Sequence, residues 1–175
     1  MEGHAAIKEL SGPPALAVGE DAAAISSGID SSAAGAQGWN PTEVGRVLED
    51  GDKVTLGGVT MQAHWTPGHT KSCTAWTTTV EEDGESYSVV FVGGTGINRG
   101  VKLLDNKRHP SIVEDYARTL RVLKDLPADV FPAQHPSMYG MADKLERLKA
   151  GATANPFIDP EGYRRFLVEE EGKYL

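Results

Sequence analysis

Between Val44 and Val92 the sequence alternates short runs of valine, threonine and aromatic residues with glycine-containing turns, and few folds other than an antiparallel sheet accommodate that alternation. Val44 to Leu48, the Asp50-Gly51 turn, Lys53 to Leu56, the Gly57-Gly58 turn and Val59 to His64 read as a strand meander with hairpin chemistry. Thr74 to Val80 and Tyr87 to Val92 flank an acidic turn containing Gly84. The expected sheet has about five strands, paired antiparallel.

Helical patterns surround this region. Ala5, Ala6, Ile7 and Leu10 form a brief apolar stripe ended by Gly12-Pro13-Pro14, Ala15 to Val18 reads as a short buried strand, and Glu20 to Ser26 as a helix stopped by Gly28. Ser31 to Pro41 is a loop. Ser111 and Glu114 spell a capping box for a helix whose Ile112, Tyr116, Leu120 and Leu123 share one face. A strand from Ala128 to Phe131 leads to the loop at Pro132 to Met138. Helices over Met141 to Ala150 and Pro160 to Glu170 follow, the second with Asp159 as its cap. The class is α+β, with helices covering one face of a sheet whose other face needs a further layer of strands.

Composition narrows the chemistry. Seventeen Lys and Arg against 25 Asp and Glu leave a net charge of -8, which excludes a basic field for nucleic acid or anionic lipid. No apolar run reaches the roughly 20 residues that span a bilayer, and the first residues lack the basic and apolar regions of a secretory signal. With Cys73 the sole cysteine, a metal site must be built from histidines and carboxylates.

Five histidines are available: His4, His64, His69, His109 and His135. His69 sits in Thr66-Pro67-Gly68-His69-Thr70 and His135 in Phe131-Pro132-Ala133-Gln134-His135-Pro136-Ser137, each just beyond a strand. Loops at strand ends are where a sheet scaffold aims imidazoles at a common metal. Spacing alone leaves these two open between ligand and structural roles, whereas His4, His64 and His109 read as structural. Cys73 reads as a small buried residue and Trp76 as core.

Several of these runs resemble one family in order and spacing: Val54-Thr55-Leu56-Gly57-Gly58, His64-Trp65-Thr66-Pro67-Gly68-His69-Thr70, Cys73-Thr74-Ala75-Trp76, and His135-Pro136-Ser137 with Tyr139-Gly140-Met141. The family is the subclass B3 metallo-β-lactamases of the metallo-β-lactamase superfamily, and the resemblance extends from about Met1 to Glu170. It implies an αββα sandwich, incomplete in this chain, with two zinc ions between its sheets and hydrolysis of small-molecule β-lactam amides. It implies that His69 completes a three-histidine zinc site and that His135 ligates the second zinc. Thr95 falls near a serine that contacts substrate in such enzymes, which makes it a substrate-side donor or a simple turn threonine; Asn98 has the same standing. Thr70 either supports the His69 loop through its hydroxyl or simply stabilises the turn.

The departures from the family are as informative. Four of the six family ligands come from an HxHxDH motif that is absent from this sequence, and Met1 to Ile7 resembles the helix that follows that motif. Residues 1–175 are therefore expected to form a single N-terminally truncated metallo-β-lactamase-like domain. It would be inactive alone and prone to self-association through an exposed sheet face. Gly93-Gly94-Thr95-Gly96 lacks the Gly-Asp of thioesterase relatives, which favours the B3 pattern over them; a lactonase or thioesterase and an inactive remnant remain the alternatives. Ser72 replaces a usual glycine, and Ala128 stands where a cysteine of a late disulfide is expected. Family resemblance also implies the periplasm, with any signal peptide upstream of Met1.

Overall fold

The computed structural model describes residues 3–29 and 38–174. Within them the chain forms α1 (Gly3–Ser11), β1 (Ala15–Val18), α2 (Asp21–Ser27), β2 (Val44–Leu48), β3 (Lys53–Leu56), β4 (Val59–Trp65), β5 (Thr74–Glu82), β6 (Glu85–Phe91), α3 (Ile112–Asp125), α4 (Met141–Lys149) and α5 (Pro160–Glu171). A 3-10 turn at Pro136–Tyr139 precedes α4. The expected loop over 31–41 falls partly outside the described residues.

Two sheets are present. β3, β4, β5 and β6 are antiparallel neighbours in that order, with Lys53 opposite Gln62, Ala63 opposite Trp76 and Trp76 opposite Phe91. β2 does not join this meander as the sequence suggested. It pairs in parallel with β1, Val18 opposite Leu48. The cause lies in the turn after β2: Asp50 Oδ1 accepts from the Trp65 amide, and Gly51 N donates to Ala63 O, so the chain steps across to β4 before it can fold back on β2. The expected strand over Ala128 to Phe131 is reduced to a parallel bridge of Val130 with Val89, held by Val130 O and Pro132 O accepting from Val90 N and Val92 N.

The layers follow from side-chain alternation along the strands. Ala75 and Val90 face α3 and α5, where Leu123, Phe131, Tyr163, Phe166 and Leu167 complete the largest core cluster. Ala63, on the opposite face, packs with Val18 and Leu48 of the small sheet and with Val54, Trp65 and Trp76. Beyond that small sheet, Ala22 and Ile25 of α2 pack on Ala17. Helix, sheet, sheet and helix thus succeed one another, the α+β arrangement expected from sequence.

Helix α3 buries Ile112, Tyr116, Leu120 and Leu123, the predicted face. Its capping box does not form. Ser111 Oγ donates instead to Asp115 Oδ2, a carboxylate already held by His109 Nε2 at 2.5 Å, and a carboxylate is the stronger acceptor. Asp159 does cap α5, accepting from Gly162 N at 2.8 Å.

Candidate metal and substrate site

Thr66 to Thr70 connects β4 toward β5 through a turn that α3 braces. Thr119 Oγ1 donates to Pro67 O at 2.5 Å, and Gly68, at φ 131, lies so close to Tyr116 that a Cβ there would stand 2.6 Å from the ring. Only glycine meets both demands. The turn presents His69 beside the Gly93–Gly96 segment that leaves β6, where a Cβ on Gly94 would fall 2.4 Å from the imidazole Cδ2.

The partner of His69 sets its chemistry. Nδ1 lies 2.6 Å from Gly96 O, and since a carbonyl only accepts, Nδ1 carries the proton. Nε2 is then left with its lone pair, facing the side-chain nitrogen of Gln134 at 3.4 Å. A ligating imidazole likewise has one nitrogen tied to a carbonyl, and here the Gln134 amide stands at the lone pair that a metal would take. Gly96 O also accepts from Tyr116 OH at 3.0 Å, and Tyr174 OH donates to Thr95 O. Burial raises the pKa of both phenols, so they stay protonated donors.

Thr70 Oγ1 donates to Asp21 Oδ2, so its hydroxyl ties the His69 loop to the first turn of α2. Burial raises the Asp21 pKa against the lowering effect of the bonds from Thr70 and the Ser72 backbone. Ser72, in place of the family glycine, is accommodated by accepting from Glu20 N at 2.8 Å. Cys73 Sγ accepts from Gly94 N at 2.9 Å, and burial pushes the thiol up to about 11.

Asp21, His69, Thr70, Cys73, Trp76 and Gln134 are among the walls of one cleft of about 370 Å³ between the small sheet and the loops. Trp76 thus serves both the core and the cleft wall. His135, Thr95 and Asn98 do not line it. His135 is exposed at the start of the 3-10 turn, adjacent to Gln134; Asn98 is exposed; Thr95 is 2% exposed, its hydroxyl without a partner among the described residues. His64 bonds Thr77 across the strands at 2.7 Å and His109 is 1% exposed against Asp115, the structural roles expected of both.

Sequence reading missed Asp21, Gln134, Tyr116 and Tyr174 as parts of this region. Gln134 had a signal in its place beside His135. The others act through folding contacts with no local pattern.

Among the described residues, no group of three His, Cys, Asp or Glu side chains is disposed to hold a metal. His69 suits a ligand, but a catalytic zinc takes three protein ligands, so these residues supply a partial set.

Comparisons with known proteins converge. A family model described as "Metallo-beta-lactamase superfamily" matches residues 3–135. The native FEZ-1 metallo-β-lactamase from Legionella gormanii is 34% identical, with a TM-score of 0.94 over 99% of this chain and 67% of that one. BJP-1, a subclass B3 metallo-β-lactamase of Bradyrhizobium japonicum, is 30% identical, with a TM-score of 0.89 over 99% of this chain and 66% of that one. The class B3 di-zinc metallo-β-lactamase LRA-12 from an Alaskan soil metagenome is 30% identical, with a TM-score of 0.85 over 97% and 65%. The chain spans about two thirds of the length of these structures.

Proposed function

The chain belongs to the metallo-β-lactamase superfamily, and from that premise we propose that the complete protein is a zinc-dependent hydrolase of β-lactam amides. The observation that carries the reading is the state of His69: Nδ1 donates to Gly96 O, which leaves Nε2 unprotonated, accepting only the long contact from the Gln134 amide at 3.4 Å beside the loop that bears His135. In this reading His69 and His135 are metal ligands and the remaining ligands come from outside residues 1–175, which form one metallo-β-lactamase-like domain. Zinc held there supplies Lewis-acid chemistry for amide hydrolysis.

This chain's own residues prepare the site. Thr70, through Asp21, holds the loop in place, and the close passage of Gly94 fixes the plane of the His69 ring. Thr95 and Asn98 are assigned to the substrate side, Asn98 from its exposed position and Thr95 through a hydroxyl that must turn outward to reach a ligand. Trp76 gives the cleft an apolar wall.

The reading extends, by the same resemblance, to a periplasmic role in antibiotic resistance. No described helix is long and apolar enough to cross a membrane. Leu16, 37% exposed, and Phe91, 40% exposed, lie on the facing sides of the small and large sheets and leave apolar surface there through which copies of residues 1–175 would self-associate.

The test is the full-length polypeptide with and without His69→Ala. Zinc content and turnover of a chromogenic cephalosporin should both fall in the variant, and undiminished values would remove the assignment. A second reading, an inactive remnant, is favoured by the incomplete ligand set among the described residues. It requires that the full-length polypeptide hold no zinc and turn over no β-lactam.

A further inference from the structure

We propose that Tyr116 is a positioning residue that holds His69 in one tautomer by fixing the Gly96 carbonyl. The proposal rests on the reading of His69 as a metal ligand and says how the fold keeps that ligand ready.

Neutral imidazole has two tautomers, and the hydrogen bond at one nitrogen decides which of them the protein holds. For His69 the stronger deciding group is Gly96 O, 2.6 Å from Nδ1, with the Gln134 amide reaching Nε2 only at 3.4 Å. Gly96 lies in the irregular chain after β6, beyond the last ladder pair of that strand, so no sheet bond orients its peptide. The orientation comes from two phenols instead. Tyr116 OH donates to Gly96 O at 3.0 Å, and Tyr174 OH donates to the preceding carbonyl, Thr95 O. The two rings lie 4.6 Å apart between centroids, so each phenol restrains its neighbour.

Tyr116 is itself held firmly. It is 3% exposed on the buried face of α3, and its ring lies against Gly68, next to His69 in sequence. One side chain therefore meets the His69 loop from both directions, through its ring at Gly68 and through its hydroxyl at the carbonyl that receives the His69 proton. A carbonyl free to rotate would let the imidazole proton move to Nε2, the nitrogen needed for a metal.

The experiment compares histidine nitrogen resonances in the isotope-labelled 175-residue chain, without metal, at a pH where the imidazole is neutral. His69→Ala assigns the signals. The parent should show a protonated Nδ1 and an unprotonated Nε2 at His69. Tyr116→Phe keeps the ring and loses the hydroxyl, and should lower the ratio of the two tautomers by about twofold to tenfold, the worth of one hydrogen bond. Tyr163→Phe is the control: it loses a comparable buried bond, from Tyr163 OH to Leu123 O at 2.7 Å, and should leave the His69 signals unchanged. An unchanged ratio in Tyr116→Phe overturns the proposal, and so does an equal change in Tyr163→Phe, which would mean general loosening. The full-length polypeptide with and without His69→Ala tests the underlying reading separately: zinc content undiminished in the variant overturns the ligand assignment, while the metal-free comparison still decides what Tyr116 does.

Discussion

The hydroxyl of Thr70 donates to Oδ2 of Asp21 at 2.6 Å, joining the loop that carries His69 to a helix 49 residues earlier. That bond connects the two sides of the cleft, since Asp21 opens α2 behind the small sheet and Thr70 leaves β4 of the large one. Thr70→Val should cost about 1–3 kcal/mol, because it leaves a largely buried carboxyl short of a donor. Urea unfolding measures this; a midpoint equal to the parent's would show that the bond contributes nothing.

Asp21 also gives stability a pH dependence of definite sign. Burial raises its pKa above the ordinary 3.8, so the folded chain holds this proton more tightly than the unfolded one. Its contribution to stability is present at low pH and falls as pH rises from that ordinary value through the raised one. Asp21→Asn should remove this fall, making the slope of stability against pH more positive over that window. Identical slopes in parent and variant would contradict the assignment.

Asp159 works in the opposite sense. Burial alone would raise its pKa, but the Lys144 ammonium at 3.0 Å, the Gly162 amide and the Arg165 guanidinium together hold it below 3.8. Its contribution is therefore present above the ordinary value and lost as pH falls through the lowered one. Asp159→Ala removes the α5 cap and strands Lys144, whose side chain is 9% exposed. The expected loss is about 2–5 kcal/mol at neutral pH, read from thermal or urea unfolding.

Gly94→Ala tests the fit around the imidazole. The new Cβ would lie 2.4 Å from His69 Cδ2, so the ring must leave its bond to Gly96 O or the backbone must move, at a cost of about 1–3 kcal/mol. Stability should fall, and the His69 nitrogen resonances of the metal-free chain should shift with it. A variant with parental stability and His69 resonances would mean that the ring has other room.

With its thiol pushed up to about 11 and its sulfur accepting from the Gly94 amide, the half-buried Cys73 should resist modification in the folded chain although it lines the cleft. Its labelling rate by a thiol reagent near neutral pH should follow unfolding, rising with urea in step with the loss of helical signal. Rapid labelling without denaturant would place the sulfur at the surface.

Sequence reading recovers much of this molecule where one residue type answers to one local demand. Gly28 ends α2, Asp159 caps α5, and the Ile112, Tyr116, Leu120 and Leu123 stripe of α3 is buried as its spacing predicts. It fails where tertiary partners compete. β2 looks like the first strand of a meander but pairs with β1, because the Asp50 carboxylate captures the Trp65 amide; Ser111 looks like a cap but serves Asp115. In the site, the turn that presents His69 beyond β4 was legible in Thr66-Pro67-Gly68. The donors that set its state were not, since Tyr116 reads as an ordinary core position and Gly96 contributes only a backbone oxygen.

Helix α3 grips the His69 loop at successive points. Tyr116 lies on Gly68, Thr119 bonds Pro67 O, and Arg118 reaches Asp50 while its guanidinium sits 4.7 Å from the centre of the Trp65 ring. The consequence is cooperative. Loop and helix open and close as one unit, so the amide protons of α3 and those of Thr66 and Gly68 should exchange with solvent at a common free energy, and the site cannot loosen without its helix.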